Sequence, residues 1–266
     1  MGLSPGLDFE TQLFFKPNAS ELLARELSKP GYVCRRIHIG GDTDPYQPVE
    51  RRLCVTRAVI ETLDRFNHPF SIITKSALIA RDLDLLGPMA ARGLVSATVS
   101  VTTLDRKLAR AMEPRAATPE RRLEAIARLA EAGVPTGVGF APVVPGLNDH
   151  EMEAVLERAA AAGAVSAMYV ALRLPLEIKD LFREWLEDAR PDRAARVMSL
   201  VRQMRGGKDY DAGWATRMKG QGPIADLLRA RFAAACRRLG LNARPIVLDE
   251  SQFRVPPKAG DQLALF

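Results

Sequence analysis

The chain has 266 residues, 47% of them apolar, enough for one large domain with a full hydrophobic core or two small ones. No stretch approaches the roughly 18 consecutive apolar residues of a membrane helix, and residues 1–15 carry no basic segment leading into an apolar run, so no secretory signal is expected and the cytoplasm is the expected location. The net charge of +6 tolerates a polyanionic partner without requiring one, and Cys34, Cys54 and Cys236 are too widely spaced for a disulfide scaffold or a C-x-x-C metal site.

From residue 35 short β-branched runs alternate with amphipathic stretches. Arg36-Ile37-His38-Ile39 reads as a strand running into Gly40-Gly41, and Val49, Leu53, Ile60, Leu63 and Phe66 then recur at helical spacing. Phe70 to Thr74 is the next strand, 77–92 a helix, and Val95 to Val101 a third strand. Thr118 as N-cap with Pro119 behind it starts a helix that stops at Gly133. Val134 to Ala141 is the fourth strand. Asn148 and Glu151 suggest a capping pair for a helix ending near Gly163, and Val165 to Leu172 is the fifth strand. Strands alternating with helices imply βαβ units and a parallel sheet. With no G-x-G-x-x-G opening a helix, a barrel or partial barrel is preferred to a dinucleotide-binding fold. Beyond 176 the pattern is helical (176–189, 192–205, 223–239), and Pro- and Gly-spiked residues close the chain.

In parallel barrels the side chains at the carboxyl ends of the strands line the site. Here those ends carry Gly40-Gly41-Asp42-Thr43, Thr74-Lys75-Ser76, Ser100-Val101-Thr102, Pro142-Val143-Val144 and Arg173. Adjacent glycines admit a ligand to the backbone. Asp42 suits an ammonium, Lys75 and Arg173 suit a carboxylate or phosphate, and Ser100 and Thr102 suit ribose hydroxyls. Together they describe a pocket for a zwitterionic nucleoside.

Gly41-Asp42-Thr43-Asp44-Pro45-Tyr46-Gln47-Pro48-Val49-Glu50, Thr74-Lys75-Ser76, Ser100-Val101-Thr102-Thr103-Leu104-Asp105, Met112-Glu113-Pro114-Arg115-Ala116 and Ala141 to Asp149 resemble the radical S-adenosylmethionine superfamily, in its spore-photoproduct-lyase-like or DNA-repair-photolyase-like branch. The opening Gly2 to Glu10 resembles the segment just after that family's cluster loop, and the likeness runs over residues 2–240. It implies an α/β fold: a partial parallel (β/α)6-type barrel over 1–175 missing its first strand, a helical extension over 176–243, and a flexible tail over 244–266. It also implies S-adenosyl-L-methionine as cofactor, with Gly40, Gly41 and Asp42 at the methionine amino group and Thr43 among the other cofactor-binding residues. Lys75 would meet the methionine carboxylate, Ser100 and Thr102 the ribose, and Val143 and Val144 the adenine. DNA is the implied substrate class.

The family's [4Fe-4S] cluster is held by C-x-x-x-C-x-x-C, and no such motif occurs here. A cluster needs thiolate ligands, so the chain as it stands is expected not to cleave S-adenosylmethionine. Either it begins inside a longer gene product or it is a truncated relative; retention of the cofactor-facing residues favours the former. A clusterless DNA-repair accessory module is the alternative.

Tyr46, next to the Gly-Gly-Asp turn, is placed on the rim, with substrate stacking or radical relay weighed against simple packing. His38, His68 and His150 share no ligand spacing, and Trp185 and Trp214 read as packing residues. The chain ends Gln262-Leu263-Ala264-Leu265-Phe266 after a Pro- and Gly-containing linker. This resembles the pentapeptide by which bacterial repair proteins dock on the DNA polymerase sliding clamp, with Gln262, Leu263, Leu265 and Phe266 as its anchors. Folding back onto the barrel is the competing account.

Overall fold

A computed structural model describes residues 12–257. After helix α1 (Ala19–Leu27) come strand β1 (Ile37–Ile39), helices α2 (Glu50–Leu53) and α3 (Val55–Arg65), strand β2 (Phe70–Thr74) and a 3-10 turn (Ala77–Asp82) leading into α4 (Leu83–Ala91). Strand β3 (Val95–Ser100), α5 (Arg106–Met112), α6 (Pro119–Glu131), β4 (Thr136–Val143), α7 (Met152–Ala161) and β5 (Ser166–Ala171) follow, then α8 (Ile178–Ala189), α9 (Ala194–Gln203) and α10 (Gly222–Leu239). The five strands form one parallel sheet in the order β1-β2-β3-β4-β5, as the alternation of elements implies.

Register sorts the side chains into two faces. Phe70, Ile72, Val95, Ala97, Val99, Val138, Phe140 and Tyr169 point to the helices and join Ile60, Leu63, Leu86, Ile126, Leu129, Val155 and Leu156 in the main core. The opposite, inner face carries small and polar groups in rows: His38 beside Ser71 beside Ser96, and Ile73 beside Thr98 beside Gly137 beside Ser166. A sheet with a large apolar outer face and small inner residues is that of a partial barrel with room inside.

Several local expectations need correction. The helical run from 49 to 66 breaks at Cys54, which adopts a left-handed conformation (φ 52°). The Glu50 carboxylate compensates by accepting from Val55 N–H and Thr56 N–H at the start of α3. Thr118 caps α6 as expected. Asn148 does not cap α7; its Oδ1 accepts from Val144 N–H and its amide donates to Thr102 O and Pro142 O. Glu151 instead accepts from the Thr103 hydroxyl and Leu104 N–H.

Helices α8 and α9 pack on the carboxyl ends of β4 and β5 through Leu186, Val197, Met198 and Val201, against Val144, Leu172 and Leu174. Helix α10 returns to the helix layer, packing Phe232 against Tyr169 with the rings tilted by 53°. The outer edge of β5 is covered: Asn242 pairs both backbone groups of Ala167, the Lys219 ammonium donates to Tyr169 O, and Ala171 N–H donates to Met218 O.

The stretch expected to begin a flexible tail at 244 is packed as far as the structure describes it. Leu248 is buried. Asp249 N–H bonds Gly93 O, Arg254 N–H bonds Phe66 O, and Phe253 nests among Tyr32, Phe66 and His68. The aromatic anchor is what a composition-based linker reading overlooks. Gln262, Leu263, Leu265 and Phe266 lie outside the described residues. Among the described residues no helix is long and apolar enough to cross a membrane.

Candidate functional site at the carboxyl ends of the strands

The loops after all five strands meet at one rim. Asp44, in the loop after β1, ties that loop to the end of β2. Its Oδ1 accepts from Thr74 Oγ1 (2.6 Å) and from Tyr46 N–H (2.8 Å), and its Oδ2 from Lys75 N–H (2.7 Å). Gly40 has φ 95°, and a Cβ there would run into Ile73 O. Its glycine is therefore required by the close approach of the loop after β1 to the end of β2. Gly41 has no such constraint, and with Asp42 and Thr43 it stands exposed on the rim.

Tyr46 is not on the rim. It is 1% exposed, and its hydroxyl donates to Asp82 Oδ2 at 3.0 Å. Asp82 is also held by Arg57 and Arg81, and Arg81 reaches Glu50. Burial first, then the neighbouring Asp82 charge, pushes the Tyr46 phenol far above its ordinary range. The ring has no exposed face for a substrate to stack on; its bond to Asp82 ties the loop after β1 to the start of α4.

At the centre of the rim lies a charged cluster that strand-end reading did not anticipate. Glu113, just past α5, accepts from Arg122 Nη2 at 2.6 Å and from the Lys75 ammonium, with Thr102 Oγ1 3.1 Å from both carboxylate oxygens. Its side chain is 11% exposed and that of Arg122 2%. Burial pushes the Glu113 carboxyl upward, but Lys75 and Arg122 outweigh it and hold the group below its usual range. Arg122 is further bonded to Ala117 O (2.7 Å) and Ser100 O (3.2 Å). The only sequence signal for this cluster was Met112-Glu113-Pro114-Arg115 within the family resemblance.

The cluster revises several assignments. Lys75 reaches the rim, its side chain 37% exposed, and spends one of its three donors on Glu113. Thr102 is 1% exposed with its hydroxyl engaged, so it is not free for a ribose. Ser100 is buried on the inner face beside Gly139, where an added Cβ would stand 3.1 Å from its Oγ. Val143 and Val144 are fully buried, Val143 O accepts from Leu172 N–H, and Val144 N–H serves Asn148. The neighbouring Ala141 and Pro142, joined by a cis peptide, are half-buried. Arg173, half-buried after β5, has a buried Nε with no partner. Gly41 to Thr43, Lys75 and Arg173 thus remain the groups open to a ligand.

No three Cys, His, Asp or Glu side chains come together as a metal site among the described residues. Cys34 and Cys54 are half-buried and Cys236 is buried behind the sheet. The residues present do not fit a [4Fe-4S] cluster.

Residues 12–159 match the model of the Radical SAM superfamily, and the chain belongs to that family. An uncharacterized protein of Mycobacterium tuberculosis is 35% identical over 205 residues, 76% of this chain and 60% of that protein. An uncharacterized protein of Methanocaldococcus jannaschii is 27% identical over 126 residues, covering 47% of each. The chain thus spans 60% of the length of the mycobacterial relatives it matches. Among solved structures, spore photoproduct lyase complexed with dinucleoside spore photoproduct superposes with a TM-score of 0.58 at 14% identity, covering 84% of this chain and 64% of that one. A mutant of the same lyase with bound AdoMet and the dinucleoside gives a TM-score of 0.52 with the same coverage. The fold is similar to that of spore photoproduct lyase, a partial parallel barrel.

Proposed function

We propose that the chain binds S-adenosylmethionine at this rim as part of a radical S-adenosylmethionine protein whose substrate is DNA or a nucleotide-containing molecule. The convergence of Gly41 to Thr43, Lys75 and Arg173 on one rim is the observation that carries the reading. The backbone after β1 and the Asp42 carboxylate receive the amino group, and Lys75 the carboxylate, while Glu113 and Arg122 fix the Lys75 side chain in place. A [4Fe-4S] cluster, where one is bound, supplies the electron for reductive cleavage. The described residues cannot hold it, so this chain alone binds without cleaving. The DNA part of the proposal is supported by the lyase fold and by the dinucleoside named for its solved complexes.

Calorimetric titration with S-adenosylmethionine tests the assignment. Weak binding is expected, lowered by Lys75→Ala and by Asp42→Ala; binding that neither change weakens would remove both residues from the site. We further propose that the last five residues dock on a polymerase sliding clamp, which the sequence Gln262-Leu263-Ala264-Leu265-Phe266 supports. A labelled peptide of the tail should bind purified clamp with roughly micromolar affinity, and a Gln262→Ala, Phe266→Ala double variant should not.

A further inference from the structure

The loop between α9 and α10 carries a tryptophan that the function above does not use. Expected from sequence to pack, Trp214 is instead 81% exposed. It does not sit on a slack segment. Gly213 N–H and the Thr216 hydroxyl both donate to Asp211, and Thr216 N–H and Arg217 N–H both return to Gly213 O. The base of the loop is fastened to the carboxyl end of β5: the buried Arg205 guanidinium donates to Leu172 O at 2.6 Å and to Thr216 O at 2.9 Å. Ala171 N–H meets Met218 O, and Arg173 Nη1 lies 3.8 Å from Met218 Sδ.

The Arg217 guanidinium lies over the indole, 3.8 Å from the ring centroid. One face of the ring is thus occupied by a cation and the other is left to solvent. Arg217 and Arg173 are half-buried, and Lys208 is exposed nearby in sequence. The loop's own carboxylates do not cancel this charge: Asp209 is taken by Arg183 and Arg202, and Asp211 is spent on the turn. A rigidly held aromatic face with cations beside it fits a flat π group attached to an anion.

We infer that Trp214 stacks on a nucleobase of single-stranded or extruded DNA, with Arg217 and Arg173 meeting the adjoining phosphate, and so presents a nucleotide to the rim. This rests on the proposed function for the DNA class, and the loop's attachment to the end of β5 beside Arg173 is what places the stacked base at the same rim. Trp185 is the other tryptophan, tied by its Nε1–H to Ala111 O and packed on Phe182. A Trp185→Phe variant therefore makes Trp214 the sole reporter.

The full chain is titrated with a thymidine oligonucleotide, following Trp214 fluorescence in the Trp185→Phe background and, independently, the anisotropy of labelled oligonucleotide on the wild-type chain. Quenching is expected, with Trp214→Ala weakening affinity by about tenfold, the scale of one base–aromatic stack, and Trp214→Phe retaining most of it. Equal affinity of wild type and Trp214→Ala overturns the inference while leaving the DNA reading intact. No binding by the wild-type chain overturns both, and S-adenosylmethionine binding is then judged separately by calorimetry. Quenching by anionic phosphatidylglycerol vesicles but not by oligonucleotide assigns the loop to a membrane surface and also overturns the inference.

Discussion

Replacing Glu113 by glutamine keeps the shape of the side chain and removes its charge from between Lys75 and Arg122. Arg122 is the critical partner, because its side chain is 2% exposed while that of Lys75 is 37% exposed. Lys75 can turn to water; Arg122 cannot. Breaking one member of a buried ion pair costs about 3–5 kcal/mol, since the other charge is left without compensation. Arg122 keeps carbonyl acceptors at Ala117 and Ser100, which places Glu113→Gln at the lower end, about 3 kcal/mol. The pH dependence gives a second signature. A carboxyl whose folded pKa is depressed contributes stability that is present above its unfolded pKa of about 4.3 and is lost as pH falls through the folded value. Urea unfolding of wild type and Glu113→Gln should therefore differ by about 3 kcal/mol at neutral pH and converge in acid. A difference below about 1 kcal/mol at neutral pH, or one that persists unchanged to low pH, would refute a buried Glu113–Arg122 pair.

Four further outcomes follow from the same geometry. Gly40→Ala should cost about 2 kcal/mol or more, because a side chain there meets Ile73 O at a left-handed φ, whereas Gly41→Ala should leave the melting temperature nearly unchanged. Tyr46→Phe should lose about 1.5 kcal/mol through its bond to the Asp82 carboxylate; an unchanged urea midpoint means that bond is not made. His68 is fully buried, accepting from Tyr32 and bonded to Pro69 O, and burial lowers its pKa. Its contribution is complete above the unfolded pKa of about 6.5 and declines below it, so wild-type stability should fall as the pH drops below about 6.5, with a slope that His68→Phe reduces. Anaerobic reconstitution with iron and sulfide should leave this chain without stoichiometric iron by elemental analysis, while a longer product carrying a C-x-x-x-C-x-x-C motif should bind it.

What the sequence discloses and what it hides divide along a physical line. The five strands are legible because short runs rich in β-branched residues, such as Phe70 to Thr74 and Val95 to Ser100, carry apolar residues at alternate positions and end in polar ones. The rim could be listed from those endings. Helix α5 escaped because its seven residues are too few for a period to show. Burial at the rim was illegible for a different reason: it depends on which distant residue arrives there. Tyr46 follows a polar turn and reads as exposed until Asp82, 36 residues on, meets its hydroxyl. Thr102 reads as a ribose contact until Glu113 and Arg122 come to lie beside it.

The same reasoning separates two kinds of polar residue at this rim. Asp44 is bonded to Tyr46, Thr74 and Lys75, while Thr102, Glu113 and Arg122 satisfy one another, so their work is to tie neighbouring strand ends together. Gly41 to Thr43, Lys75, Arg173 and Trp214 keep open faces or unused donors. Arg173 and Arg217 are half-buried cations near the end of β5, and such charges call for a counter-anion. An anion at the β5 end of the rim meets that requirement, and both the S-adenosylmethionine carboxylate and a nucleic-acid phosphate are such anions. Lys75, 37% exposed at the end of β2, offers a second cationic point on the same rim. On the proposed function, two cationic points on one rim would give a zwitterionic cofactor and a polyanionic substrate separate places to bind. The Arg173→Ala and Lys75→Ala variants should therefore separate them, the first weakening oligonucleotide more than S-adenosylmethionine and the second the reverse, and equal losses of both ligands in each variant would show a single shared anion site.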